Sequence, residues 1–304
     1  MNEPEEGFRS GYVGIVGRPN VGKSTLLNAI LGEKVAIVTP RPQTTRNRIV
    51  GVKNLPNAQI VFLDTPGLHR PRERLGEFMV RTARESLKEV EIALLMVEPR
   101  PPGDIEKDVI KELALLKKRG RHQQKAVFLL INKIDLIKKT AILPLIDQYR
   151  SLMEFDEIIP LSALHGTGLN ELMDCIIRYL PEGPRYYPPD IYTDQLERFL
   201  VAEIIREKVM LLTSEEIPYS VAVDVLKWEE KEDLIVISAE IYVEKESQKG
   251  IIIGRRGRML KEIGTQSRRE IEGILGVRIF LDLFVKVKPD WRKRLSALRE
   301  LGYK

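Results

Sequence analysis

Eight residues near the start of this 304-residue chain constrain its fold more than anything else in it: Gly17-Arg18-Pro19-Asn20-Val21-Gly22-Lys23-Ser24. The spacing G-x-x-x-x-G-K-[ST] is the P-loop, which works only between a strand and a helix. The apolar, β-prone run 12–16 precedes it and the helical stretch 24–31 follows it. The glycines let the backbone wrap a phosphate, its amide N–H groups point inward, and the helix adds its positive dipole end. Lys23 then reaches the β- and γ-phosphates, and the Ser24 hydroxyl ligates Mg²⁺. Gly17, Asn20, Val21, Gly22, Lys23, Ser24 and Thr25 are therefore candidate nucleotide contacts.

Further short apolar runs at 60–63, 92–97, 126–131 and 157–161 alternate with helical stretches at 104–118 and 169–180. This alternation predicts an α/β domain with a mixed, mostly parallel sheet and helices on both faces. Such sheets bind ligands at the carboxyl ends of their strands. Leu180-Pro181-Glu182-Gly183-Pro184 and Pro188-Pro189 cannot continue a helix and read as a spacer. Beyond it the pattern becomes helix (194–212), strand pair (221–228 and 234–244), helix (259–275), strand (277–287) and a helical end (291–301). The reading is a nucleotide-binding domain over 10–182, a linker over 183–193 and a smaller α+β domain over 194–304. Residues 194–212 place Leu196, Phe199, Leu200, Ile204 and Val209 on one apolar face.

Three motifs add the metal, the switch and the base. Asp64-Thr65-Pro66-Gly67 follows a strand, so Asp64 can hold the magnesium shell and the Gly67 N–H can meet the γ-phosphate. Gln43-Thr44-Thr45-Arg46 lies between it and the P-loop; a threonine there can ligate Mg²⁺ only while the γ-phosphate is present, which makes the segment a switch. Asn132-Lys133-Ile134-Asp135 selects guanine: a carboxylate accepts from guanine N1–H and the exocyclic amine, a donor pair adenine lacks. Lys133 can cover the base and Asn132 can brace the loop. Ser162-Ala163-Leu164, after the next strand, can offer an N–H to the guanine O6. The chemistry predicted is hydrolysis of GTP to GDP and phosphate.

Two departures bear on mechanism. The position after D-x-x-G, often a glutamine that orients the attacking water, is Leu68, so intrinsic hydrolysis should be slow. His69 is its neighbour, and Arg46, Arg48, Arg70 and Arg72 are all nearby candidates for an arginine finger. The second departure is Asn20. G-R-P-N-V-G-K-S-T resembles the loop of potassium-responsive GTPases, which implies that K⁺ beside the phosphates supplies charge and stimulates turnover.

Charge is uneven along the chain. The whole carries a net +5, but residues 247–304 hold 15 Lys and Arg against 6 Asp and Glu, leaving the remainder at −4. A basic tail behind an acidic front predicts a polyanionic partner for the C-terminal part. Within it, Ile251-Ile252-Ile253-Gly254-Arg255-Arg256-Gly257 has the I-G-x-x-G form of a KH domain. Its two glycines let a nucleic-acid backbone come close, Arg255 and Arg256 meet phosphates, and Ile253 helps wall a groove for splayed bases. Lys286, Lys288, Arg292, Lys293 and Arg294 can extend the phosphate track.

Composition narrows the rest. Nothing approaches eighteen consecutive apolar residues, so no membrane span is expected. The opening Met1-Asn2-Glu3-Pro4-Glu5-Glu6 is acidic and lacks the layout of a signal peptide. The one cysteine, Cys175, falls in an apolar-periodic run and reads as a buried core thiol. These features predict a cytoplasmic protein.

Taken together, the motifs resemble the bacterial Era GTPase family over nearly the whole chain. The resemblance rests on G-R-P-N-V-G-K-S-T, Q-T-T-R, D-T-P-G-L-H, N-K-I-D, S-A-L, Glu203-Ile204-Ile205-Arg206-Glu207-Lys208, Gly254-Arg255-Arg256-Gly257, Val285-Lys286-Val287-Lys288 and Leu301-Gly302-Tyr303. It implies a role in small ribosomal subunit assembly through binding near the 3′ end of the subunit's ribosomal RNA. It also implies peripheral association with the inner membrane. It assigns the switch magnesium ligand to Thr45, ahead of Thr44. A monomer is expected. The competing readings are a P-loop phosphotransferase, opposed by N-K-I-D, and a signalling GTPase whose basic domain binds a protein or an anionic membrane, opposed by I-G-x-x-G.

Overall fold

A computed structural model describes residues 7–119 and 125–303; the acidic opening Met1–Glu6 and Lys304 fall outside the described residues. The chain forms two compact units. Among the described residues the first comprises 7–36, 45–70 and 79–194, the second 37–44, 71–78 and 195–303.

The elements run β1 (Arg9–Gly17), α1 (Lys23–Leu31), β2 (Ile49–Asn54), β3 (Ala58–Asp64), α2 (Arg74–Ser86), β4 (Ile92–Val97), α3 (Asp104–Arg119), β5 (Ala126–Ile131), α4 (Ile142–Arg150), β6 (Glu157–Pro160) and α5 (Leu169–Tyr179). The six strands form one sheet in the order β2-β3-β1-β4-β5-β6. Only β2 runs antiparallel, pairing Ile49 with Asp64 through Asn54 with Gln59. Every residue of β4 (IALLMV) and β5 (AVFLLI) is buried, as expected of parallel strands covered on both faces. Leu95, Val97, Leu129 and Ile131 pack with Val109, Ile110 and Leu113 of α3 and with Val80 and Ala83 of α2. Cys175 is buried, and burial raises its thiol pKa. β1, β3 and β5 all end at the same edge of the sheet, and each hands over there to one of the motifs.

The proline-rich stretch after α5 is not a free spacer. Gly183 N–H donates to Phe8 O (3.0 Å), and Val52 N–H donates to Tyr192 O (2.9 Å). The fully buried Gln59 accepts from the N–H groups of Tyr186 (2.6 Å) and Tyr187 (3.0 Å) and donates to Tyr187 O (2.7 Å). The strap thus gives the Val52 N–H of the edge strand β2 an acceptor where the edge would otherwise stand open.

The second unit contains α6 (Glu197–Leu212), α7 (Ile217–Ser220), β7 (Ala222–Lys231), β8 (Leu234–Val243), α8 (Glu246–Ile253), α9 (Arg258–Leu275), β9 (Arg278–Val287) and α10 (Leu295–Glu300). Its sheet has the order β7-β8-β9, antiparallel then parallel, with an irregularity in β7 between Val225 and Lys227. Alternate β8 residues Ile237, Ala239, Ile241 and Val243 face a core shared with Ile204, Ile205 and Val209 of α6 and Ile263 and Ile271 of α9. Leu196, expected on the apolar face of α6, instead caps its N-terminus and stands 75% exposed.

Candidate functional site

In the first unit the P-loop occupies Gly17–Gly22 between β1 and α1. Gly22 has φ +104°, and a Cβ there would sit 2.3 Å from Asn132 Nδ2, so only glycine fits this close approach. Asn20 is also left-handed, at φ +64°. Lys23 is buried and folds back onto Arg18 O (3.1 Å); burial lowers its pKa, partly countered by Asp64.

Three side-chain oxygens converge beside it. Ser24 Oγ donates to Asp64 Oδ2 (2.6 Å) and lies 2.8 Å from Thr45 Oγ1. The second carboxylate oxygen, Asp64 Oδ1, is buried with no hydrogen-bond partner. Burial pushes the Asp64 pKa up to about 6 against the pull of Lys23, Ser24 and the Thr65 amide. Two hydroxyls and one carboxylate, one of whose oxygens is buried and orphaned, suit a hard cation that completes its shell with phosphate and water, as Mg²⁺ does. Among the described residues no group of three or more His, Cys, Asp and Glu is placed to hold a metal ion. Thr44 is turned elsewhere: its hydroxyl donates to Arg41 O and meets Thr39 Oγ1, both at 2.7 Å.

Leu68 N–H donates to Gly17 O (2.9 Å), which lays Gly67 beside the P-loop. The Leu68 side chain is buried in the core with Val16 and Val80 and does not reach the phosphate site. His69 is half-buried with Nδ1 2.9 Å from Gly67 O. Of the candidate arginines, Arg46 is buried, Arg48 pairs with Glu89 (2.8 Å), and Arg70 and Arg72 are exposed.

The base-side motifs meet across the loop. Asn132 donates from Nδ2 to Val21 O (2.7 Å) and accepts the Ala163 N–H at Oδ1 (2.9 Å), joining P-loop, N-K-x-D and S-A-L. Lys133, at φ +61°, donates to Asn20 O and to Glu98 Oε1, both at 2.7 Å. Asp135 accepts from Ser162 Oγ (2.6 Å), the main reason its pKa is lowered, and is exposed. A charged acceptor therefore faces solvent where a base can dock. Thr25 is half-buried in the first turn of α1, and Leu164 is 74% exposed. Glu98, the ion-pair partner of Lys133, is a site residue that no motif announces; its only signal is a carboxylate just past the end of the buried β4 run.

In the second unit, Gly254–Gly257 turns α8 into α9. Gly254 sits at φ 70°, ψ 174°, a region open essentially to glycine alone. Arg255 and Arg256 are exposed at the tip, and Arg256 is itself left-handed at φ 53°. Ile252 is fully buried, while Ile253 is half-buried against the same core. Between α9 and β9 lies a groove of about 440 Å³ lined by Leu260, Lys261, Gly264, Arg268, Phe280 and Leu283 among others. Phe280 is 57% exposed. The expected phosphate track beyond the groove is largely neutralised: Lys286 pairs with Glu240, Lys288 with Glu300, Arg292 with Glu244 and Glu73, and Lys293 with Asp290.

This fold and site define a P-loop guanine-nucleotide protein with a KH-type module. The family described as "50S ribosome-binding GTPase" matches residues 12–133, and the KH domain family matches residues 216–292. The chain is 56% identical over 298 residues to GTPase Era of Syntrophus aciditrophicus, covering 97% of this chain and 95% of that one. It is 52% identical over 301 residues to GTPase Era of Geotalea daltonii, at 98% and 99% coverage. Two solved structures each share 46% identity, a TM-score of 0.92 and coverage of 97% of this chain and 99% of theirs. One is Era in complex with MgGDPNP and nucleotides 1506–1542 of 16S ribosomal RNA, and the other is a point variant of Aquifex aeolicus Era bound to GDP·AlF4⁻. The chain belongs to the Era GTPase family and is a GTP phosphohydrolase.

Proposed function

We propose that this GTPase is a nucleotide-switched factor in assembly of the small ribosomal subunit that binds near the 3′ end of the subunit's ribosomal RNA. The observation that carries this reading is the groove beside the Gly254–Gly257 turn, in the same chain as a guanine-nucleotide site. A relative sharing 46% of its residues was solved with MgGDPNP and that RNA end. Residues 10–182 act as the GTPase domain, 183–193 as the connection and 194–304 as the RNA-binding domain.

In the nucleotide site Gly17, Asn20, Val21, Gly22, Lys23, Ser24 and Thr25 hold the phosphates. Asn132, Lys133, Asp135, Ser162, Ala163 and Leu164 hold the guanosine. Ser24, Thr45 and Asp64 hold Mg²⁺, which neutralises charge on the β- and γ-phosphate oxygens when bound. Lys23 and the P-loop amides add fixed positive potential, and the Gly67 N–H meets the γ-phosphate. Leu68 orients no water, so unstimulated turnover is slow. The resemblance of G-R-P-N-V-G-K-S-T to the loop of potassium-responsive GTPases supports stimulation by K⁺ placed by Asn20; equal turnover in KCl and NaCl would remove that part of the reading. Ile253, Gly254, Arg255, Arg256 and Gly257 approach the RNA backbone, and the groove between α9 and β9 takes splayed bases.

GTP orders the segments around Thr45 and Leu68 and thereby favours RNA binding; hydrolysis releases both. The protein works as a monomer in the cytoplasm, with peripheral contact at the inner membrane. Among the described residues no helix is long and apolar enough to cross a membrane. The test is binding to a short single-stranded RNA of the small-subunit 3′ end, beside a Gly254→Asp variant. Tight binding that the variant loses supports the reading. Absence of binding by the unsubstituted protein would make the basic module a protein or membrane surface instead, and equal tight binding by both would remove the Gly254–Gly257 turn from the RNA site.

A further inference from the structure

Three consecutive residues of α6, Arg206, Glu207 and Lys208, are charged and buried, at 1%, 2% and 9% exposure. Buried charges stabilise a fold poorly and require partners, so the partners disclose what the charges are for. Arg206 is clamped by Glu203 one turn back and donates to the carbonyl of Thr44, the residue immediately before Thr45. Glu207 accepts the Val38 N–H (2.9 Å) at the other end of the same segment. Its second oxygen accepts from Lys208 Nζ (2.9 Å), and Lys208 also pairs with Glu270 on α9. The earlier turns of α9 line the groove through Leu260, Lys261, Gly264 and Arg268. The Val38–Thr44 segment is itself closed by the Thr39–Thr44 and Thr44–Arg41 hydrogen bonds, so its two ends are held as one piece.

We propose that Arg206, Glu207, Lys208 and Glu270 form a relay that carries the state of the segment preceding Thr45 to α9 and its groove. Thr45 is bonded directly to Thr44, so drawing Thr45 into or out of a magnesium shell displaces the carbonyl that Arg206 holds. A buried guanidinium or carboxylate left without its acceptor or donor is costly, so the group exchanges partners or moves with the segment rather than tolerating a gap. Lys208 then shifts between Glu207 and Glu270, and α9 responds. An apolar α6 would pack at least as well; what the charges add is a discrete change of pairing that both ends can bias. The relay rests on the proposed dependence of RNA binding on nucleotide.

The test measures the affinity of the full-length protein for a short single-stranded RNA of the small-subunit 3′ end, with Mg²⁺ and a GTP analogue and with GDP. The ratio of the two affinities is compared among wild type, Glu207→Gln and Glu270→Gln. The relay predicts that both substitutions lower this ratio at least about fivefold, the small end of ordinary coupling, while affinity for the GTP analogue without RNA stays within about twofold. Glu270→Gln lies at the partly exposed end and decides the matter if Glu207→Gln melts early. Variants that keep the wild-type ratio overturn the relay and leave the nucleotide switch standing. A wild type with a ratio of one overturns the switch itself, and the relay with it.

Discussion

Thr44 and Thr45 are adjacent and identical in side chain, and their hydroxyls do different work. Thr45 faces Ser24, whereas Thr44 closes a local turn with Arg41 and Thr39. Thr45→Ala should therefore lower magnesium-dependent GTP turnover by about 10²-fold, the size expected when one charge-stabilising contact is lost. Thr44→Ala should stay within about threefold, because it removes only local hydrogen bonds of about 1 kcal/mol. Phosphate release assays on the pair check this; equal losses would contradict the assignment. Asp135→Ala should weaken GTP binding by about 10- to 150-fold, as loss of a charged hydrogen-bond acceptor predicts, measured by nucleotide titration. Most of the residues that the structure brings together at the candidate nucleotide site are legible in the sequence, because fixed spacings tie them to strand ends. Glu98 is not, since a carboxylate that steadies Lys133 is chosen by its place at a strand end rather than by a motif.

At the level of elements, the Gly254–Gly257 turn is the most sequence-determined feature of the second unit. Gly254→Ala places a Cβ 2.7 Å from that of Met259 in a backbone region other residues avoid. It should destabilise this unit by about 1–3 kcal/mol, seen as a lower thermal midpoint, in addition to any loss of RNA binding. An unchanged midpoint would mean the turn relaxes freely. The strap after α5 offers a second check. Gln59→Leu strands the Tyr186 and Tyr187 amides and should cost about 1–3 kcal/mol in urea unfolding. The parallel strands were legible as unbroken apolar runs, and the strand ends located the motifs. β2 was not, because Ile49–Asn54 is short, contains Gly51 and takes its form from pairing with β3. Nor was the docking of the proline-rich strap, which rests on backbone partners and a buried glutamine far away in sequence.

At the scale of the whole molecule, the sequence separates a basic C-terminal part from an acidic remainder, and that division points to a polyanion. Part of this positive charge is paired internally, at Lys286, Lys288 and Arg292 for instance, so affinity for RNA falls on fewer residues than the count suggests. The chain order also hides that Ile37–Thr44 and Pro71–Phe78, which flank the switch residues, belong to the second compact unit. No local pattern reveals this; it arises from contacts such as Thr44 with Arg206 and Glu73 with Arg292, 162 residues apart in the first case. If the two functions are coupled, the coupling must be reciprocal. The most direct measurement is the affinity for a GTP analogue, relative to GDP, with and without saturating single-stranded RNA of the small-subunit 3′ end. The account predicts that RNA raises this relative affinity by the same factor by which the GTP analogue raises affinity for RNA. Nucleotide affinities indifferent to RNA would contradict it, leaving a GTPase and an RNA-binding module that share a chain without communicating.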